Sequence, residues 1–282
     1  MFGQTYGDWL KLSKVQVCVV GLGQIGFPVA EYVAAKGLEV WGIDINPATI
    51  ENARKTGKFN VTNSWQDVPN VDVYVVCVTT SQRNEAPDLS PVFDVCRKIS
   101  EIASSSALVS IESTIIPGTC KKIFKTIFKS KIRLVHVPHR YWALEPEKHG
   151  VNQIRVIGAI NAESLRAGLK FYQDTLGIPM HVVSKVEVAE MCKISENAHR
   201  FLQIAFAEEL KMTCAKIGLD FDELRKALNT KWNVNMPEAR TGIGGHCLPK
   251  DVRYVTSLAP SQLLESAIDV DKKYREWLSK QK

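Results

Sequence analysis

The chain has 282 residues, of which 45% are hydrophobic and 23% are charged, a composition typical of a globular protein long enough for two packed domains. No apolar run approaches the ~20 residues of a membrane span, and the first residues contain no apolar signal segment, so we expect a cytoplasmic protein that does not associate with membranes. The net charge of +6 suits anionic ligands but does not identify a nucleic-acid-binding protein.

The seven cysteines indicate reduced thiols. Their number is odd and no two have the CxxC spacing, which argues against a disulfide framework and against a zinc site. We therefore predict mostly buried thiols and no bound metal.

The first predicted strand, Val15–Val20, runs into the sequence GLGQIG, and the residues after it predict a helix. Gly21 allows a tight turn, Gly23 lets the backbone approach a pyrophosphate, and Gly26 permits close packing of the helix on the strand. The phosphates would lie over the helix N-terminus. The residues assigned to the cofactor here are Gly21, Gly23, Gln24, Ile25 and Gly26.

A second strand, Leu38–Ile43, ends at Asp44, close to the ~20-residue interval at which such folds carry a carboxylate for the adenosine ribose. An acid at this position favours NAD over NADP, because it would repel a 2′-phosphate. The alternative is a surface aspartate that opens a turn before Asn46. Residues 56–70 are expected to cross directly to the next strand.

Five more strands are predicted, with helical patterns between several of them, which indicates an N-terminal Rossmann-like, doubly wound, mostly parallel α/β sheet. They are Val71–Val78, Ala107–Ile111, Arg133–Val137, Arg155–Ile160 and Met180–Val183. Ligands bind beyond the carboxyl ends of such strands, although ordinary turn chemistry would also place polar residues there. The residues predicted at this edge are Thr79, Thr80, Ser113, Thr114 and Pro138. The basic run 121–131 has helical spacing, and we interpret it as the solvated face of an amphipathic helix.

The second half of the chain has a helical pattern. Residues 186–217 predict one long helix closed by Gly218, and shorter helices follow at Phe221–Leu228 and Ser261–Leu278. Lys193 and Asn197 lie four residues apart on the long helix, so they share a face and can converge on one ligand, unless this face is simply solvated. We predict a Rossmann-like domain at 1–184 and an all-helical domain at 185–282.

The sequence GIGGHCLPKD, from Gly242 to Asp251, places Cys247 among small residues just before a predicted helix. Pro249 suits a first helical position, which would put the thiol near a helix N-terminus, where thiolate is favoured. The alternative is a tight turn with an incidental buried thiol.

Five segments together resemble the UDP-glucose/GDP-mannose dehydrogenase family, whose NAD-dependent members oxidise the primary alcohol of a nucleotide sugar to a carboxylate. The segments are VVGLGQIGFPVA, PDLSPV, ESTIIPGT, RVIGA and GIGGHCLPKD, in that order along the chain.

The resemblance implies a role for each matching residue. Cys247 would capture an aldehyde as a thiohemiacetal that is oxidised to a thioester and hydrolysed. Lys193 would act as a base or stabilise an alkoxide, and Asn197 would donate to the same oxygen. Asp251 would hold Lys193 or a water, and Thr114 would position water or substrate.

The chain departs from the family in two places. His139 and Ala143 stand where members carry glutamates for thioester hydrolysis, so His139 is the predicted replacement base, with Glu145 or Glu147 as alternatives. The chain also ends where the family's C-terminal nucleotide-binding domain would begin. Either a separate subunit would supply that domain, or the substrate would be a smaller or different alcohol or aldehyde.

Other functions stay open at this point. A single-step alcohol dehydrogenase or reductase similar to the β-hydroxyacid dehydrogenases has a comparable length and layout, and a catalytically idle NAD-binding homologue is a third reading. The substrate is expected to be a small alcohol or sugar, nucleotide-linked or not. We also predict a homodimer formed through the long helix.

Overall fold

A computed structural model describes residues 15–55, 57–84, 86–142 and 144–281. The N-terminal segment, for which no apolar signal segment was predicted, lies outside the described residues. Ala143 also lies outside them. The described residues form two compact units. The first comprises the residues up to Thr80 together with Leu89–Glu190, and the second comprises Ser81–Asp88 and the residues from Met191 on. The boundary between residues 184 and 185 stays a prediction.

The first unit is built on an eight-stranded sheet in the order β10-β9-β8-β7-β4-β1-β2-β3. Neighbouring strands are parallel except β8 and β9, which are antiparallel. The central strands β1, β4, β7 and β8 are almost wholly buried, as expected for strands covered on both faces. The mostly parallel α/β sheet is therefore confirmed. Its strands are β1 Gln16–Val20, β2 Glu39–Ile43, β3 Asn60–Thr62, β4 Val73–Val76, β7 Leu108–Ile111, β8 Arg133–His136, β9 Arg155–Ala159 and β10 Met180–Val182.

The helices of this unit connect the strands. Gly37, with a φ of +80°, follows α1, and the side chain of Asn46 caps α2 by accepting a hydrogen bond from Ala48, so both ends follow from the sequence. The helix predicted from the basic run is shorter than that run, because Lys129 and Ser130 have positive φ values. The helices are α1 Gly26–Ala35, α2 Pro47–Arg54, α3 Ser90–Ile102, α4 Thr119–Thr126 and α5 Ala162–Leu169, followed by a π-helical segment, Lys170–Thr175.

The expectation that residues 56–70 cross directly to the next strand is wrong. They contain β3, which pairs with β2 in parallel so that Asn60 lies opposite Trp41. The strand has three residues, of which only Thr62 is buried, so its side chains carry no alternating pattern. The strand forms because it pairs with an edge of β2 that would otherwise have no neighbouring strand.

The second unit is helical apart from one hairpin. Helix α6 runs from Val186 to Ile217 and therefore starts within the first unit, and Gly218, at a φ of +75°, ends it as predicted. The hairpin belongs to this unit because the hydroxyl of Tyr254 donates to the carbonyl of Ser81 at 2.6 Å. No helix in the described part of the chain is both long and apolar enough to cross a membrane. The remaining elements are β5 Ser81–Arg83, β6 Ala86–Asp88, α7 Phe221–Leu228, α8 Cys247–Leu258 and α9 Gln262–Ser279.

Candidate active site

The glycine-rich loop lies between β1 and α1, where the sequence predicts the cofactor. Gly21 has a φ of +89°, and a Cβ atom on it would lie 3.0 Å from the backbone of Cys77. A Cβ atom on Gly26 would lie 1.7 Å from the carbonyl oxygen of Gly21. Only glycine fits these two positions, so the chain turns tightly and α1 begins directly over the loop.

Gly23 is exposed, and a Cβ atom on it would meet no heavy atom within 4 Å. Open space therefore borders the loop backbone beside the first turn of α1. The N–H groups of a first helical turn have no partner within the helix and attract phosphate. Gln24 is exposed and Ile25 is half-buried at the same place. The loop thus fits the pyrophosphate of a dinucleotide.

Asp44 follows β2 and holds the same loop. One carboxylate oxygen accepts a hydrogen bond from the backbone N–H of Leu22 at 2.7 Å, and the other accepts from Asn46 at 2.8 Å. Each carboxylate oxygen has a further lone pair, so the hydroxyls of a ribose can still donate to it. Asp44 therefore fits its predicted role and also fixes the position of the glycine loop.

The order of the strands changes direction between β1 and β4, which are neighbours in the sheet. Open α/β sheets bind ligands at such a change of strand order. Thr79 is exposed there. Thr80 is buried and donates to the carbonyl of Thr114 at 2.9 Å, and Ser113 donates to the carbonyl of Val78 at 2.7 Å. These two hydroxyl hydrogens are used within the protein, so Thr80 and Ser113 shape the edge of the sheet. The side chain of Thr114 is half-buried beside them.

A buried polar cluster follows β7, and the sequence reasoning missed it. Glu112 is only 3% exposed; it accepts a hydrogen bond from the hydroxyl of Tyr172 at 2.6 Å and forms an ion pair with Arg155 at 2.9 Å. Burial, followed by the Glu112 carboxylate, raises the pKa of Tyr172 well above its usual value, so this hydroxyl stays protonated. The available signal was a charged residue directly after one predicted buried strand, Glu112, and another at the first position of a second, Arg155, because buried charges require partners.

His139 belongs to the same cluster and is 5% exposed. Its Nδ1 accepts a hydrogen bond from the backbone N–H of Tyr141 at 3.0 Å, and its Nε2 lies 3.4 Å from the Glu112 carboxylate. A neutral imidazole whose Nδ1 accepts a hydrogen bond carries its proton on Nε2. Nδ1 therefore has a hydrogen-bond partner within the protein, and Nε2 is buried beside the Glu112 carboxylate. The alternatives Glu145 and Glu147 are exposed in the loop after β8.

Cys247 is the only exposed residue among the seven cysteines, all of which are described. Burial raises the pKa of Cys18 to about 12. Burial, and after it the Glu112 carboxylate, raises the pKa of Cys77 well above its usual value. Buried thiols of this kind stay protonated and unreactive. Exposure therefore selects Cys247 as the candidate nucleophile.

Helix α8 begins at Cys247 itself, two residues before the position that Pro249 suggests. The thiol thus lies at the helix N-terminus, beside N–H groups that have no partner within the helix. Pro249 occupies the third helical position, where its missing N–H costs no helical hydrogen bond.

Asp251 is fully buried one turn further along α8. Its carboxylate accepts a hydrogen bond from the side-chain amide of Asn197 on α6 and forms an ion pair with Lys250. The contact implied between Asp251 and Lys193 is not formed, because the ammonium of Lys250 lies against Asp251 Oδ1 instead. Lys250 is itself only 5% exposed. The sequence reasoning overlooked it although it directly precedes Asp251.

Lys193 is half-buried one turn before Asn197 on α6, and its side chain forms no ion pair with any described residue. The four-residue spacing places the two side chains on one face of the helix. The second unit thus contains Cys247, Asp251, Asn197 and Lys193, and the first contains the glycine loop, Thr114 and His139. In the described part of the chain, no three His, Cys, Asp or Glu side chains are grouped to hold a metal ion.

Models of protein families match both halves of the chain. The model described as the NAD binding domain of the UDP-glucose/GDP-mannose dehydrogenase family matches residues 48–176, and the model of that family's central domain matches residues 187–273. The NAD binding domain of 3-hydroxyacyl-CoA dehydrogenase matches residues 16–71, which include the glycine loop and Asp44.

Individual proteins show the same likeness. A UDP-N-acetyl-D-mannosamine dehydrogenase of Methanococcus maripaludis is 30% identical over 262 residues, which cover 85% of this chain and 61% of the relative. The solved structure of a UDP-D-ManNAc dehydrogenase from Pyrococcus horikoshii has a TM-score of 0.87 at 28% identity, and the match covers 94% of this chain and 70% of that one. A 3-hydroxyisobutyrate dehydrogenase of Mycobacterium tuberculosis shares the fold, with a TM-score of 0.72 at 15% identity over 93% of this chain and 94% of that one. The chain spans about three fifths of the length of the curated UDP-N-acetyl-D-mannosamine dehydrogenases that it resembles.

Proposed function

The chain belongs to the UDP-glucose/GDP-mannose dehydrogenase family, and on this basis we propose that it oxidises the primary alcohol of a nucleotide sugar to a carboxylate. Cys247 is the covalent nucleophile and NAD is the cofactor. The observation that carries the proposal is the position of Cys247, exposed at the first residue of a helix whose next turn is fixed by buried Asp251. The names of the relatives make UDP-N-acetyl-D-mannosamine the first substrate to assay.

The residues of the first unit hold the cofactor. The backbone at Gly23 and the first turn of α1 bind the pyrophosphate, and Asp44 accepts hydrogen bonds from the adenosine ribose. When bound, NAD would supply the hydride acceptor, and each of the two oxidations would consume one NAD molecule.

The residues of the second unit act on the substrate. The Cys247 thiolate adds to the aldehyde carbon, so a C–S bond forms and the carbonyl oxygen takes back the proton that Lys193 removed from the alcohol. Lys193 removes the proton from the alcohol in the first oxidation and stabilises the oxygen of the adduct, and Asn197 donates to the same oxygen. Asp251 positions Asn197 through their hydrogen bond. Water then cleaves the C–S bond of the thioester, which releases the acid and restores the thiol.

The base for thioester hydrolysis is a separate assignment. The lone pair of His139 Nδ1 accepts a hydrogen bond from the N–H of Tyr141, so a neutral ring presents no lone pair to a water molecule in this arrangement. Within the proposal His139 positions Glu112, and the exposed acids Glu145 and Glu147 are the candidates for the base. Glutamine substitutions at residues 139, 145 and 147, compared for the rate of acid release, distinguish these roles.

Replacing Cys247 by serine tests the proposal. The wild-type protein should form two NADH per UDP-N-acetyl-D-mannosamine without releasing aldehyde, and the variant should lose acid formation. Cys214→Ala, which removes a buried thiol on α6, is the matched control and should retain the stoichiometry. Acid formation by Cys247→Ser would refute the covalent role. One NADH per substrate in the wild type would support the single-step alternative instead.

A homodimer through α6 and a cytoplasmic location remain part of the proposal. Phe206 and Val188 on α6 are 53% and 44% exposed, and exposed apolar residues on a long helix suit a two-fold interface. Light scattering checks the dimer, and Phe206→Glu should shift the protein towards monomer. A monomeric wild type at assay concentration would refute it.

A further inference from the structure

The segment 236–246 leads into Cys247, and side chains from helices hold its first part. Asp271, Tyr274 and Arg275 lie at i, i+3 and i+4 on α9, so they share one face of that helix. All three bond to the backbone of this segment. We call them the α9 clamp.

The clamp forms hydrogen bonds with both N–H and carbonyl groups of the segment's backbone. The carboxylate of Asp271 accepts a hydrogen bond from the N–H of Ile243 at 2.7 Å, and the guanidinium of Arg275 donates to the carbonyl of the same residue at 2.8 Å. The hydroxyl of Tyr274 lies 2.8 Å from the carbonyl oxygen of Arg240. Asp271 and Arg275 are also paired with each other at 3.0 Å, which fixes the geometry of both.

Gly242 shows how closely the clamp approaches. Its φ is +100°, and a Cβ atom on it would lie 2.7 Å from the Arg275 side chain, so only glycine fits. In contrast, Cβ atoms on Gly244 and Gly245 would meet no heavy atom within 4 Å. Ile243 is the last residue before Cys247 to which the clamp bonds. Gly244, Gly245 and His246 separate the two.

We infer that Asp271, Tyr274 and Arg275 are positioning residues for Cys247, because they fix the segment from which the nucleophile projects. Cys247 is thus fixed from both directions along the chain, by the α9 clamp before it and by buried Asp251 one turn after it. Without the clamp, the thiol samples more positions, captures less aldehyde and lets more of it escape. This inference rests on the proposed function.

Two clamp variants, Tyr274→Phe and Asp271→Asn, test the inference. Tyr274→Phe removes only the hydroxyl and keeps the stacking of the ring on Trp277, so it should fold. Hydrogen–deuterium exchange should be faster at Ile243 by about tenfold in Asp271→Asn, since that amide loses its charged acceptor. Released aldehyde per NADH should rise in both variants at a temperature where unfolding curves show them fully folded. Lys272→Ala, an exposed residue of the same helix, is the control and should change neither quantity.

The outcomes separate the possibilities. Faster exchange with unchanged aldehyde release would overturn the positioning role, because the clamp would then be structural only. Unchanged exchange would overturn the clamp itself. A wild-type protein that forms no NADH with any nucleotide sugar would refute the proposed function, and the exchange rates alone would then decide whether the clamp orders the segment.

Discussion

Replacing Glu208 by glutamine should make the stability of the protein less dependent on pH. Glu208 lies on α6 with 0% exposure, and neither carboxyl oxygen has a hydrogen-bond partner among the described residues. Burial, and after it the charge of Asp271, raises the pKa of Glu208 from 4.5 to about 8, while Arg275 opposes the shift. Glu208 is therefore protonated in the folded protein at pH 7.

The magnitude follows from proton linkage. Between pH 4.5 and about 8, the folded protein retains a proton that the unfolded chain has released, so the free energy of unfolding falls by about 1.4 kcal/mol per pH unit as the pH rises. The loss of stability caused by the buried carboxyl group is absent below the pKa of Glu208 in the unfolded chain. It is complete above the pKa of Glu208 in the folded protein. Glutamine does not titrate, so the free energy of unfolding of Glu208→Gln relative to wild type should increase by about 2.5 kcal/mol between pH 5 and pH 7. Any constant cost of the buried amide cancels from this difference.

Urea denaturation at pH 5, 6 and 7 measures this change directly. Glu209→Gln replaces the exposed neighbouring carboxylate and serves as the control, for which the difference from wild type should stay nearly constant. If the stability of wild type and Glu208→Gln changed in parallel across this range, Glu208 would not carry a raised pKa, and the reasoning from its burial would be refuted.

Other substitutions test the glycine loop and the buried polar cluster of the first unit. Gly26→Ala places a Cβ atom 1.7 Å from the carbonyl oxygen of Gly21 and should destabilise the protein by more than about 3 kcal/mol. Gly23→Ala meets no atom, so it should change stability by less than about 1 kcal/mol yet abolish the rise in melting temperature that NAD causes; an undiminished rise would contradict the placement of the pyrophosphate. Tyr172→Phe removes a hydroxyl that donates to buried Glu112 and should lower the urea-derived free energy of unfolding by about 1–3 kcal/mol. A loss below about 0.5 kcal/mol would mean that the bond contributes little.

The long elements of the fold were predictable because their sequences carry the relevant signal locally. Helix α6 shows helical spacing over 32 residues and ends at a glycine. The strand, glycine turn and helix at residues 16–35 form the structure that their sequence indicates. The short strands β3, β5 and β6 have three residues each, and they form because a partner strand is available. The π-helical segment that carries Tyr172 also had no signal in the sequence.

The candidate site likewise has features that were predictable from the sequence and features that were not. The positions of Asp44 and Cys247 at the ends of elements followed from spacing. The hydrogen-bond partners did not, because they come from distant parts of the chain. Asp251 bonds to Asn197, 54 residues away, and Tyr172 bonds to Glu112, 60 residues away. No local pattern shows that such groups are buried together, so the sequence identified candidate residues but not their contacts.

The hairpin at residues 81–88 has a consequence for the synthesis of the protein. Tyr254, which bonds to Ser81, lies 173 residues further along the chain. At roughly 5–20 residues per second, the ribosome completes that partner roughly ten to thirty seconds after the hairpin. The second unit therefore cannot be completed until the ribosome has passed Tyr254. In the meantime the hairpin lacks its native neighbour, and this is the period in which a chaperone or an incorrect pairing would act on it.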